Sequence, residues 1–179
     1  MENKLIIIGG LSGSGKSTVG SLLSEALSPS AWIDSDDLVK VSPWIYGEQL
    51  LKLGVENAVA LAKNFWRAGY SQVVLSGGPP SQRELDLLIT QIHTNCHILY
   101  IWLDVNKTTR DKRRIARSRD TADKVEFLDA VDAVMTDPGK LTIPNGTYFR
   151  LQIDDETPRE VLERIVKILA KEGLRLKDV

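Results

Sequence analysis

Gly10-Leu11-Ser12-Gly13-Ser14-Gly15-Lys16-Ser17 decides the fold. It matches G-x-x-x-x-G-K-[ST] in full. Before it runs Leu5 to Ile8, an apolar stretch of the kind buried on both faces of a sheet. After it, Val19, Leu22, Leu23, Ala26 and Leu27 recur at helix spacing. Glycines in such a strand–loop–helix turn free the backbone to wrap an anion, and the amide N–H groups and helix N-terminus point at it. The residues that cradle a nucleotide triphosphate are therefore Gly10, Ser12, Gly13, Ser14, Gly15, Lys16, Ser17 and Thr18. Lys16 supplies a mobile charge for the outer phosphates, and the Ser17 hydroxyl is placed to coordinate Mg2+. Thr18 is either an α-phosphate contact or an ordinary first-turn residue.

Outward from that loop, apolar runs alternate with helix-period segments. Ala31–Ile33, Val73–Leu75, Ile98–Leu103 and Thr147–Ile153 read as four further strands. Between them lie a helical segment from Gly47 to Ala68, one beginning with Ser81 and Glu84 in capping-box spacing, and one around Val125 to Met135 followed by a turn at Asp137-Pro138-Gly139. A last helix starts at Thr157-Pro158. Five strands separated by helices predict a three-layer α/β/α architecture with a five-stranded parallel sheet in a single domain, 1–179. Ligands in such sheets sit beyond the carboxyl ends of the strands.

The composition agrees. Of 179 residues, 42% are apolar and 26% charged, the balance of an ordinary globular chain. A net charge of −1 disfavours a nucleic-acid or anionic-membrane coat protein. The lone Cys96 excludes an intramolecular disulfide and a cysteine zinc cluster. No apolar run nears the ~20 residues of a membrane span, and the N-terminal run is too short for a secretion signal. A water-soluble, cytoplasmic protein is expected. His93 and His97 read as ordinary edge residues.

Three places after the strands carry further chemistry. Asp34-Ser35-Asp36-Asp37 closes the second strand. If that strand neighbours the first, these carboxylates lie across from the phosphate loop, where a group is needed to orient an acceptor hydroxyl and take its proton. A helix N-cap with acidic first-turn residues is the alternative, and Asp37 fits it better than Asp36. Ser76-Gly77-Gly78 ends the third strand, either as a place for close substrate approach or as a simple turn. Arg110, Arg113, Arg114 and Arg117 fall at i, i+3, i+4 and i+7, one face of a helix. Such a face opposes a polyanion or is simply solvated.

With these residues the chain resembles the small P-loop kinases of the nucleoside-monophosphate-kinase type, among them shikimate kinase, gluconate kinase and chloramphenicol phosphotransferase. The resemblance covers most of the chain in layout and is specific at the phosphate loop, at Asp34-Ser35-Asp36, and at the arginines. It implies a P-loop NTPase fold with a helical lid at about 106–122 and an acceptor-binding helical segment at about 38–68. It implies ATP and Mg2+ as cofactors and a hydroxyl-bearing small molecule as partner. Carried over residue by residue, Ser17 and Asp34 take the metal role and Lys16, Asp36, Arg117 and Arg113 the catalytic one. Asp36, Gly77, Gly78 and Arg83 face the acceptor, although surface charge is the plainer role for Arg83. The loop Asp155-Glu156-Thr157-Pro158 is placed near the adenine ring. The segment 40–66 lacks the arginines shikimate requires. The implied activity is transfer of the ATP γ-phosphoryl group to a hydroxyl, by a monomer or homodimer.

Rival readings are a nucleotide-dependent binding module and a polynucleotide 5′-hydroxyl kinase, though nucleic acid is disfavoured. A GTPase would need N-K-x-D, and Asn106-Lys107-Thr108-Thr109 lacks the Asp. A motor-type ATPase would need an activating Glu after Asp104, where Val105 stands.

Overall fold

Every strand of the sheet runs parallel, in the order β2-β3-β1-β4-β5. The computed structural model describes residues 2–79, 81–92, 95–116, 128–133, 135 and 141–177. The strands are β1 (Asn3–Gly9), β2 (Ser30–Asp34), β3 (Gln72–Ser76), β4 (Cys96–Asp104) and β5 (Gly146–Gln152). The helices are α1 (Lys16–Ala26), α2 (Glu48–Arg67), α3 (Gln82–Ile92), α4 (Lys107–Ala116) and α5 (Pro158–Leu169). Residues 128–133 are also helical. Arg117, His93 and the turn at 137–139 lie outside the described residues.

Alternation along the strands sorts the core into two layers. Leu5 and Ile7 of β1, with Ile33, Leu75 and Tyr100, face α2 and α3. Ile6 and Ile8, with Val74, Leu99 and Ile101, face α1 and α5. A parallel sheet covered on both faces has buried, continuously apolar strands, and β3 is buried at all five positions. The three-layer α/β/α arrangement expected from the sequence is present.

The strand order qualifies one expectation. β2 does not neighbour β1, because β3 lies between them. The connection leaving β1 runs toward β2 on one side, while those leaving its neighbours β3 and β4 run toward the other, so the carboxyl end of β1 is a topological switch point. The sequence runs out of β1 into the phosphate loop at that point.

Local signals hold the helices. Thr157 caps α5 by accepting the Glu160 N–H, and the Glu160 carboxylate accepts the Thr157 N–H at 2.7 Å. Pro158 follows at the first turn, where its missing N–H costs nothing. At α3 the Ser81 hydroxyl donates to the Glu84 carboxylate. Asn106 caps α4, its side-chain oxygen accepting the Thr109 N–H at 2.9 Å, so the Asn-Lys pair serves the helix end. Among the described residues, no helix is long and apolar enough to cross a membrane.

Candidate active site

The phosphate loop turns where its glycines allow. Gly13 and Gly15 have φ of 83° and 98°, in the left-handed region that side chains disfavour. Gly15 opens onto empty space, so a Cβ there would meet nothing and the cradle faces outward. Gly13 faces inward, and a Cβ would sit 2.7 Å from the Arg110 carbonyl. Lys16 leads α1, and its ammonium donates to the carbonyls of Gly10 at 2.8 Å and Leu11 at 3.2 Å. These bonds hold the charge at the loop's mouth.

One cleft of about 340 Å³ is lined by Gly10, Gly15, Lys16 and Ser17 of the loop and by Asp34 and Asp36 beyond β2. It thus spans from β1 across β3 to β2. Asp34 is the N-cap of the 3-10 turn Ser35–Asp37, with Oδ1 accepting the Asp36 N–H at 3.1 Å. Asp34 therefore caps the turn, with Asp36 and Asp37 in its first turn, and also lines the cleft. Asp37 points elsewhere and pairs with Lys40 at 2.5 Å.

Ser76 ties the floor together. Its hydroxyl accepts the Trp32 indole N–H at 2.9 Å and donates to the Lys16 carbonyl at 3.1 Å. Gly77 and Gly78 both line the cleft. The close approach they permit is to protein: a Cβ on Gly77 would strike Ser35 Oγ, and one on Gly78 would lie 2.5 Å from the Tyr100 hydroxyl. Arg83 does not line the cleft. It pairs at the surface with Glu48, at the start of α2.

The arginines divide. Arg110 is 6% exposed and Arg114 fully buried, so a solvated basic face is excluded for both. Arg110 donates to the Ser12 carbonyl at 3.2 Å and to Asp132 at 2.6 Å. Arg114 donates to the Ser12 carbonyl at 3.1 Å, to Asp129 at 2.5 Å and to Asp132. The Lys107 ammonium, and then the Arg114 guanidinium, hold the Asp129 carboxyl below its ordinary range. Arg113 lies on the other side of the loop. It donates to the carbonyls of Ser14 at 3.3 Å and Asp154 at 3.4 Å. There it borders a second cleft, of about 290 Å³, with Ser14, Thr18, Glu156 and Pro158.

Asp129 and Asp132 are the functional-site residues that sequence reasoning missed. The available signal was two acids three apart in an apolar helical stretch with Leu128, Val131 and Met135. Asp104, at the end of β4, pairs with Arg150 of β5 at 2.9 Å and does not line the cleft.

The donor set fits a triphosphate with Mg2+. The loop offers amides and one ammonium, and the cleft adds the Ser17 hydroxyl and the Asp34 carboxylate as hard oxygen donors. Mg2+ is usually held by one or two protein oxygens plus phosphate and water. Among the described residues, no group of three or more His, Cys, Asp or Glu could hold a metal ion.

Comparison with solved structures agrees with this geometry. A gluconokinase from Sinorhizobium meliloti 1021 superimposes with a TM-score of 0.71 at 16% identity, over 94% of this chain and 93% of that one. The APS kinase of Mycobacterium tuberculosis, solved with AMPPNP and APS, gives 0.69 at 17% identity over 94% and 98%. A sugar kinase from Janibacter sp. HTCC2649 gives 0.68 at 13% identity over 95% of both chains. The fold is that of the P-loop kinases of the nucleoside-monophosphate-kinase type. At these identities the likeness of this chain to those kinases is one of fold. No family model matches the sequence, and no curated protein matches it.

Proposed function

We propose that the protein is an ATP-dependent kinase that transfers the γ-phosphoryl group to a hydroxyl of a small molecule. The single observation that carries this reading is that one cleft is lined by both Lys16 and Ser17 of the phosphate loop and by the Asp36 carboxylate.

In this reading the loop amides and Lys16 hold the β- and γ-phosphates. The second cleft takes the nucleoside, with Arg113 and Thr18 on one side and Glu156 and Pro158 on the other. Ser17 and Asp34 would hold Mg2+, which would supply charge neutralisation at the phosphate oxygens. Asp36 orients the acceptor hydroxyl. As the hydroxyl oxygen bonds to the γ-phosphorus, the bond from phosphorus to the β,γ-bridging oxygen breaks and ADP leaves. The hydroxyl proton passes to the Asp36 carboxylate and then to water. Arg113, with Arg117 following at i+4, serves as the lid's charge on the transferring group.

The protein would act as a single domain with its acceptor-binding helix in α2, in the cytoplasm, as a monomer or homodimer. Lys16→Ala tests the core of the proposal. A folded variant that has lost AMPPNP binding and acceptor-dependent ADP release is the expected result. Wild-type turnover in that variant excludes the phosphate-loop role. AMPPNP binding by the unaltered protein with no transfer to any alcohol would leave a nucleotide-dependent binding module.

A further inference from the structure

We infer that the acceptor is a hydroxyl compound built on an apolar ring or branched aliphatic body and carrying no negative charge. This rests on the kinase reading above and adds the substrate class to it.

The first support is the distribution of charge around the main cleft. Among its described lining residues the only cation is Lys16, and that ammonium is held at the Gly10 and Leu11 carbonyls, at the phosphate end. Three carboxylates line the same cleft, Asp34, Asp36 and Asp132, the last of them paired with Arg110 and Arg114. The described arginines near it are committed elsewhere. Arg83 pairs with Glu48 at the surface, Arg110 and Arg114 are buried against Asp132 and Asp129, and Arg113 borders the other cleft. Recognition of a carboxylate, sulfate or phosphate on an acceptor calls for a guanidinium or ammonium aimed at it. Here such a group would meet like charge in a partly enclosed site, where repulsion is poorly screened.

The second support is the wall. Away from the loop, Leu38, Val55, Leu88, Val131 and Met135 line the cleft. Trp44 and Tyr46 close one side, ring centroids 6.1 Å apart and tilted by 32°. Trp44 is 47% exposed, so it borders both the cleft and solvent. Desolvation, and then the Glu84 charge, raise the Tyr46 hydroxyl above its ordinary range. Aromatic and branched apolar walls with few polar groups select apolar bodies by area and stacking. A polyhydroxylated sugar acid would leave its hydroxyls unpaired against these side chains.

Two probes isolate the charge. 1-Phenylethane-1,2-diol and mandelate share a ring and a benzylic hydroxyl, and differ in a CH2OH against a carboxylate. Calorimetric titration of each into the whole protein with AMPPNP and Mg2+ gives their affinities. The diol is expected to bind at least about ten-fold tighter. Trp44→Ala, a surface change, should weaken the diol by about five-fold or more. Leu51→Arg places a cation in the wall and should reverse the order of the two probes. Mandelate binding as well as the diol, or no binding of the diol, overturns the inference. ADP release tested alongside separates it from the kinase reading. Selective diol binding with no ADP from any alcohol sinks transfer and upholds the charge selectivity. ADP release with mandelate or gluconate but not the diol upholds transfer and sinks the substrate class.

Discussion

The Asp132 carboxylate accepts the Ser12 backbone N–H at 3.0 Å with one oxygen, while its other oxygen is held by Arg110 at 2.6 Å. A residue in the helical stretch 128–133 thereby grips the phosphate loop. Arg110 and Arg114 grip the same residue from α4 through the Ser12 carbonyl. Both backbone groups of Ser12 are thus satisfied by side chains from beyond β4. The loop's shape depends on this clamp as well as on its own glycines.

Arg114→Ala should therefore cost stability. It would take from Asp129 and Asp132 their fully buried partner and leave them only Lys107 and Arg110, a loss of about 3 kcal/mol, the low end for a broken buried pair. Arg113 is only partly buried and donates to two carbonyls. Arg113→Ala should stay within about 1 kcal/mol of the parent and instead raise the KM for ATP. Urea unfolding of the two variants checks this. Equal stability losses would mean that the two arginines share one role.

Asp36 should separate chemistry from nucleotide capture. Asp36→Asn keeps the shape of the side chain and removes its proton acceptor. It should lower kcat by about 10²–10⁴-fold and change AMPPNP affinity little, because Lys16 and the loop amides carry that binding. A kcat at the parental level would move the acceptor site away from β2.

What the sequence disclosed depended on whether a residue's partner was local. The phosphate loop was legible because only glycine meets its backbone demands at Gly13 and Gly15, and such demands are written in consecutive residues. The start of the last helix at Thr157-Pro158 was legible for the same reason, its signal lying in adjacent residues. The strand order was not. Val73–Leu75 and Ala31–Ile33 look alike as apolar runs, and nothing local says which pairs with Leu5–Ile8. The four arginines shared a helical face in the sequence, but burial divides Arg110 and Arg114 from Arg113. Arg114 is neutralised by Asp129 and Asp132, 15 and 18 residues downstream, where spacing rules give no guidance. Arg83 was uninformative because its partner, Glu48, lies 35 residues upstream.

Gly20 offers a test of the cleft floor. In an exposed helix, Gly→Ala stabilises by about 1 kcal/mol. Gly20 is buried, and a Cβ there would land on Ser76 Oγ and lie 3.1 Å from the Trp32 indole nitrogen. Ser76 can rotate away only by surrendering its bonds to Trp32 and the Lys16 carbonyl. Gly20→Ala should therefore destabilise by about 1–2 kcal/mol, helix gain included. Ser76→Ala removes the obstructing oxygen, so the double variant should recover most of the loss attributable to Gly20→Ala. Strictly additive effects in that double-mutant cycle would show that the contact is unimportant.

The helix following β5 sets part of the acid limit. Glu160 accepts the Thr157 N–H first and the Thr157 hydroxyl second, and these bonds hold its carboxyl below the ordinary 4.5. Asp154 is held below 3.8 chiefly by the Asn106 N–H. A carboxyl with a depressed folded-state value binds its proton more readily in the unfolded chain. Its stabilisation is therefore complete above the ordinary value and is lost as pH falls through the depressed one. Stability should decline from about pH 5 downward, with both carboxylates contributing. Glu160→Gln cannot titrate, so its Tm should fall less steeply over that interval, from a lower starting point at neutral pH. Thermal melts of parent and variant at stepped pH measure the two slopes. Parallel curves would show that the cap at Thr157 contributes nothing to the acid transition.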